Sequence, residues 1–143
     1  MLKLVADKNN KFIISEMDFC RDKSLPTIET LEKTQQQFPN KKICFLTGSD
    51  NLKEIHTWDR AEDIVSKYKL IIMERGCDNV EEIIENNSLL LKNKQNIMKL
   101  NQEIRSNCSS TYIRNQLKNE KSVKYLVPEE VIEYIEKYKL YRR

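Results

Sequence analysis

Two stretches of this chain carry side chains that could handle a nucleotide. The first is Gly48-Ser49-Asp50, followed eight residues after Asp50 by Trp58. The Asp50 carboxylate can accept from sugar hydroxyls, and the Trp58 indole offers a flat face to an aromatic ring. The second is Cys108-Ser109-Ser110-Thr111-Tyr112-Ile113-Arg114. Its three hydroxyl residues run into a helical pattern through Ile113 and Leu117, so the free N–H groups and the dipole of the helix start attract an anion. Arg114 in the first turn opposes that dipole by a few tenths of a kcal/mol to about 1 kcal/mol. An oxyanion between Arg114 and the helix start would reverse the penalty, because a guanidinium grips phosphate with two N–H groups. Each residue also has a plain structural reading: Asp50 and Ser109 or Ser110 as helix caps, Trp58 as core, Arg114 in solvent.

The elements around them must do the positioning. Ile43 to Thr47 is an apolar run without alternation, which suits a parallel strand covered on both faces. Gly48 permits a tight turn, and Ser49 or Asp50 caps a helix bearing Leu52 and Ile55. This junction lies at the carboxyl end of a strand, where open α/β sheets bind ligands. Upstream, Met1 to Ala6 reads as the last turns of a helix, and Lys11 to Ser15 as a strand around Phe12, Ile13 and Ile14. A polar connection through Arg21 and Lys23 leads to a helix capped by Thr27, with Ile28 and Leu31 inward, ending near Gln37 before Phe38-Pro39.

Downstream, Asp59 with Glu62 makes a capping pattern for a helix bearing Ile64, Val65 and Tyr68, and Asp78 with Glu81 repeats it for Val80, Ile83 and Ile84. Leu70 to Met73 is a second buried strand, closed by Glu74, Arg75 and Gly76. Ile97, Met98 and Leu100 compete with Leu89 to Leu91 for a final strand. Pro128, Glu129 and Glu130 start a last helix whose Lys137 and Lys139 suit its other end. Its stripe of Val131, Ile132, Ile135 and Tyr138 is packing. Strands alternating with helices predict an α/β fold, a parallel sheet flanked by helices in a single domain over residues 1–143.

Composition narrows the class. With 143 residues, 39% hydrophobic and 33% charged, the chain reads as one modest soluble domain. Net charge +3 over 25 basic and 22 acidic residues is too balanced for a nucleic-acid footprint. Cysteines 20, 44, 77 and 108 form no C-x-x-C and share one histidine, His56, so zinc and thioredoxin-type readings fail on spacing. Cys44 reads as a small core residue and His56 as a helical surface or half-buried one, in a reducing cytoplasm. No stretch reaches a signal h-region or a membrane span.

Gly48, Asp50 and Trp58 resemble the G-x-D-x(7)-W stretch of bacterial nicotinate mononucleotide adenylyltransferases. Cys108 to Arg114 resembles the I-S-S-T-x-I-R signature of nucleotidyltransferases, with Cys108 replacing the isoleucine. Lys124 to Tyr141 resembles the same relatives' Y-L-V-P-x-x-V-x-x-Y-I tail. Thr27 and Thr30 in TIETL resemble their T-x-D-T-L helix start, although Leu25-Pro26 stand where Ser-Tyr is usual. Arg75-Gly76 resembles their R-P-G loop near the adenine, without its proline.

The resemblance implies a Rossmann-like doubly wound parallel sheet and adenylyl transfer from ATP to nicotinate mononucleotide, giving deamido-NAD and pyrophosphate. Asp50 would then hold the ribose and Trp58 the pyridine ring, with Thr27 near the nicotinate group and Gly48 also in the mononucleotide site. Arg75, Ser109, Ser110, Thr111 and Arg114 would meet ATP, with Mg2+ carried on the triphosphate rather than by a protein cluster. The family's H-x-G-H motif, whose histidines stabilise charge on the ATP phosphates, does not occur in this chain, so it offers no catalytic residue. The expectation is that Met1 is an internal start, that the central first strand is missing, and that the isolated chain is inactive. Its exposed sheet edges would favour association, as a homo-oligomer or otherwise. The alternatives are a transferase for another phosphate ester such as pantetheine phosphate, a non-catalytic nucleotide-binding module, and a domain kept for partner contacts.

Overall fold

Cys44–Gly48 forms strand β1 and Lys69–Met73 forms β2, parallel to it with Leu46 opposite Ile71 and Gly48 opposite Met73. Ile97–Lys99 forms β3, parallel on the far side of β2, so the order is β1-β2-β3 and Ile97, not the Leu89 to Leu91 run, supplies the third strand. The computed structural model describes residues 1–17, 25–101 and 108–141 of the chain. Cys20 and the connection through Arg21 and Lys23 lie outside them. The chain divides into two compact units, Met17–Ser106 and Met1–Glu16 with Asn107–Arg143.

In the first unit each parallel pair needs a helical crossover. Between β1 and β2 run α3 (Ser49–Glu54), a 3-10 turn (Ile55–Thr57) and α4 (Ala61–Lys67). Between β2 and β3 run α5 (Val80–Glu85) and α6 (Ser88–Lys92). With α1 given to Leu2–Ala6 of the other unit, α2 is Thr27–Gln37. One cluster joins Leu70 and Ile72 to Ile28, Leu31, Leu52, Ile55, Ile64, Val65, Val80, Ile84 and Leu90. These helices therefore pack on one face of the sheet. A sheet wound in one direction by right-handed crossovers gives that result.

The other face stays open: Leu46 is 56% and Met98 46% exposed, and Ile71 between them is half-buried. This corrects the expectation of a two-sided β1. It also places Cys44 on the surface rather than in the core. Ile72, fully buried at the centre of the packed face, is the position where truncation should hurt most. Ile72→Ala is expected to cost about 2–5 kcal/mol, read as a lower urea midpoint at unchanged slope.

Several helix starts differ from expectation. Pro26, not Thr27, precedes α2; Gly48 precedes α3; and neither start has a side-chain cap. Arg60, not Asp59, precedes α4 in the left-handed region, φ 49°. That conformation costs roughly 1–2 kcal/mol. Its guanidinium meets both Glu32 carboxylate oxygens at 2.6 and 3.1 Å and Asp63 at 2.7 Å, which offsets the strain. Asn79, rather than Asp78, caps α5 by accepting from the N–H groups of Glu81 and Glu82. Asp78 is thereby free for other work.

The second unit is helical. Ile113 and Leu117 of α7 (Ser110–Lys118) bury against Val123 and Ile135, the last from α8 (Glu129–Lys137). Helix α1 lies along α8, and Lys8 pairs with Glu130. Lys11 to Ser15 forms no strand, and Phe12 and Ile13 are 58% and 81% exposed. Three apolar residues without a neighbouring strand do not hold extended pairing. Tyr138 leaves the packing stripe and lies tilted against the Tyr134 ring with 53% of its surface exposed.

Candidate functional site

The carboxyl ends of β1 and β2 gather a polar cluster. Gly48 ends β1 with φ −83° and ψ 160°, an extended conformation open to any residue. Its role is bareness, not a left-handed turn. A Cβ there would run into the Asp50 carboxylate and lie 2.7 Å from Nε of Arg75. Over this bare backbone the Arg75 guanidinium donates to Asp50 Oδ2 at 3.0 Å. Gly48, Asp50 and Arg75 are thus brought together, and a carboxylate with its guanidinium faces solvent where α/β sheets take ligands.

Behind them sits Ser49, fully buried. Its hydroxyl accepts from the Arg75 N–H at 2.9 Å and donates to Asp78 Oδ2 at 2.8 Å. Lys53 holds the other Asp78 oxygen at 2.6 Å. The ammonium first, and the serine hydroxyl second, keep the Asp78 carboxyl below its ordinary value of 3.8. A depressed folded value stabilises the fold above pH 3.8 and is lost as pH falls through it. The melting-temperature gap between wild type and Asp78→Asn is therefore expected at neutral pH and should close progressively below pH 3.8, as thermal scans across pH would show.

At the end of β3, Lys99 reaches Glu81 at 3.1 Å and Glu74 at 3.3 Å, and Glu74 is 6% exposed. Glu74 also accepts from the Val80 N–H. The two carboxylates, Glu81 first, raise the Lys99 value. This ion cluster braces the loop that carries Arg75.

Trp58 follows the 3-10 turn, half-buried, in an edge-to-face type contact with Phe45 of β1 at 6.1 Å between centroids and 63° between planes. The contact holds the indole in place, and its exposed part can still meet another aromatic ring. Thr27 opens α2, half-buried. His56 is exposed, as expected.

In the second unit Ser109 caps α7, its hydroxyl accepting from the Tyr112 N–H at 3.1 Å. Arg114 is the fifth residue of α7 rather than a first-turn residue. Helical side chains lean toward the N-terminus, and its guanidinium reaches back to donate to Thr111 Oγ at 3.3 Å. Cys108, Ser109, Ser110 and Arg114 line one cavity of about 330 Å³, with Ile113 and Val131 beneath. A cation, hydroxyls and free helix N–H groups facing one cavity can hold a multiply charged oxyanion.

Sequence reasoning missed Ser49, Lys53, Asp78, Glu74 and Lys99 as parts of the first cluster. Asp78 was assigned to a cap; its neighbour Asn79 was the available signal, since one helix start needs one capping side chain. Nothing local marks Glu74 or Lys99, whose pairing crosses two strands.

A parallel sheet with its polar groups at the strand ends, and a hydroxyl-capped helix bearing Arg114, define a nucleotidyltransferase of the cytidylyltransferase-like class. Residues 1–116 match the family model so described. A probable nicotinate-nucleotide adenylyltransferase of Carboxydothermus hydrogenoformans is 32% identical over 143 residues, 99% of this chain and 71% of that protein. One of the same name from Caldicellulosiruptor bescii is 34% identical over 145 residues, 100% of this chain and 71% of its own length. The nicotinic acid mononucleotide adenylyltransferase of Plasmodium falciparum complexed with APC superposes with TM-score 0.74 at 25% identity, over 99% of this chain and 72% of the other. Its complex with NaAD gives 0.73 at 26%, over 99% and 71%. The chain belongs to the nicotinate-nucleotide adenylyltransferase family.

Proposed function

We propose that this chain serves transfer of the adenylyl group from ATP to nicotinate mononucleotide in NAD biosynthesis, giving deamido-NAD and pyrophosphate. The observation that carries this reading is the Asp50–Arg75 pair laid over bare Gly48 at the end of β1, in a chain of this family. Asp50 accepts from the ribose hydroxyls, Trp58 stacks its free face on the pyridine ring, and Gly48 and Thr27 complete the mononucleotide contacts. Ser109, Ser110, Thr111 and Arg114 hold ATP phosphates, and Arg75 meets ATP from the β2 loop.

A mononucleotide phosphate oxygen attacks the α-phosphorus of ATP; that P–O bond forms as the bond to the β-phosphate bridge breaks, and pyrophosphate leaves. Positioning and charge stabilisation are what protein groups contribute to such a transfer. No H-x-G-H occurs in the sequence, and we assign no catalytic residue within it. Among the described residues no group of three or more His, Cys, Asp or Glu is arranged to hold a metal ion. Magnesium carried on the triphosphate would neutralise part of its charge. Among the described residues no helix is long and apolar enough to cross a membrane, and a cytoplasmic reaction fits the free cysteines. The outer strands β1 and β3 and the open Leu46–Met98 face favour association with a second copy.

Calorimetric titration with ATP and with nicotinate mononucleotide, followed by a pyrophosphate-release assay, tests the reading. Binding of both with release supports it. Binding without release supports a nucleotide-binding module, the second reading, or a fragment of the transferase. Binding of neither sinks both.

A further inference from the structure

We propose that Ser49 and Asp78 are positioning residues: Asp78, clamped by Lys53, orients the buried Ser49 hydroxyl, which fixes the Arg75 backbone and so places its guanidinium over Gly48 at Asp50. The proposal rests on the reading of Asp50 and Arg75 as substrate contacts. A serine hydroxyl has one proton and two lone pairs. Here the proton is committed to Asp78 Oδ2 at 2.8 Å, so a lone pair is turned to the Arg75 N–H at 2.9 Å. Lys53 occupies Asp78 Oδ1 at 2.6 Å, which leaves Oδ2 for the hydroxyl.

The carbonyl of Arg75 is held as well. It accepts from the Asp78 N–H at 3.1 Å, closing a turn in which Gly76 adopts φ 58°. That left-handed conformation suits glycine. Both backbone groups of Arg75 are therefore fixed through Asp78, one directly and one through Ser49. With the backbone fixed, the side chain lies on the bare backbone of Gly48 and pairs at its tip with Asp50. Ser49 is fully buried. Buried there, it acts through Arg75.

The test uses the 143-residue chain with Ser49→Ala, Asp78→Asn, Arg75→Ala and the double variant Ser49→Ala/Arg75→Ala. Amide hydrogen exchange by NMR reads the Arg75 N–H, and calorimetry reads ATP and nicotinate mononucleotide. Loss of one such hydrogen bond is expected to speed Arg75 exchange about tenfold relative to Met73 and to weaken ATP binding by up to roughly tenfold in Ser49→Ala. Asp78→Asn, a less buried change, should move both in the same direction. In the Arg75→Ala background, Ser49→Ala should add nothing to the ATP dissociation constant, which a general loss of structure would not reproduce. Unchanged Arg75 exchange in both Ser49→Ala and Asp78→Asn overturns the proposal, as does a full additional loss in the double variant. If wild type binds neither nucleotide, the functional reading fails while the exchange rates still decide whether Ser49 and Asp78 hold Arg75.

Discussion

Arg114→Ala is expected to raise the ATP dissociation constant by roughly 10- to 100-fold, since a hydrogen bond to a charged group is worth about 1.5–3 kcal/mol and 1.4 kcal/mol is tenfold. The geometry supports a loss confined to binding. The Arg114 side chain is exposed and its guanidinium reaches the Thr111 hydroxyl, outside the cluster of Ile113, Leu117, Val123 and Ile135 that holds the unit together. Surface truncations of that kind change stability by about 0.5 kcal/mol or less. The melting temperature should therefore stay where it is while calorimetry shows the weaker ATP. Arg114→Lys should recover part of the loss, because an ammonium keeps the charge but not the two-pronged grip. An unchanged dissociation constant in Arg114→Ala would remove the residue from the ATP site.

The parts of the fold legible in the sequence are those written in local periodicity. Strands β1 and β2 and the helices carrying Leu31, Ile64, Val65 and Ile84 announce themselves through apolar spacing, and α7 through its capping serine as well. Three kinds of fact were not local. Cys44 and Leu46 look like interior residues because parallel strands usually have two covers, yet the winding direction puts every helix of that unit on one side. Asp59 and Asp78 have the sequence of caps, but Arg60 trades a strained backbone for Glu32 and Asp63, and Asn79 wins the start of α5. Gly48 looked like a turn and proved to be a bare surface for Arg75. Except for the Asn79 cap, which is local, these depend on a partner more than twenty residues away or on a topological choice, which no window of sequence contains. Asp50 and Arg75 are each marked by the sequence as candidates, but their contact with one another is not.

Asp50→Ala separates the two substrates. Removal of a charged acceptor from a sugar is expected to weaken nicotinate mononucleotide by roughly 10- to 100-fold. The fold should tolerate it: the Asp50–Arg75 pair is about half exposed on both sides, 53% and 50%, and exposed pairs contribute about 0–1 kcal/mol. Trp58 is the single tryptophan of the chain, so stacking of the pyridine ring on its face can be followed as a change in intrinsic fluorescence. In Asp50→Ala the midpoint of that change should move to higher mononucleotide concentration with its amplitude retained, because the ring still finds the indole pinned on Phe45. ATP affinity should hold or rise, since Arg75 loses the carboxylate that now occupies it. A matching loss of ATP affinity would mean that Asp50 and Arg75 serve one ligand together, and the assignment of ribose to one and ATP to the other would have to be given up.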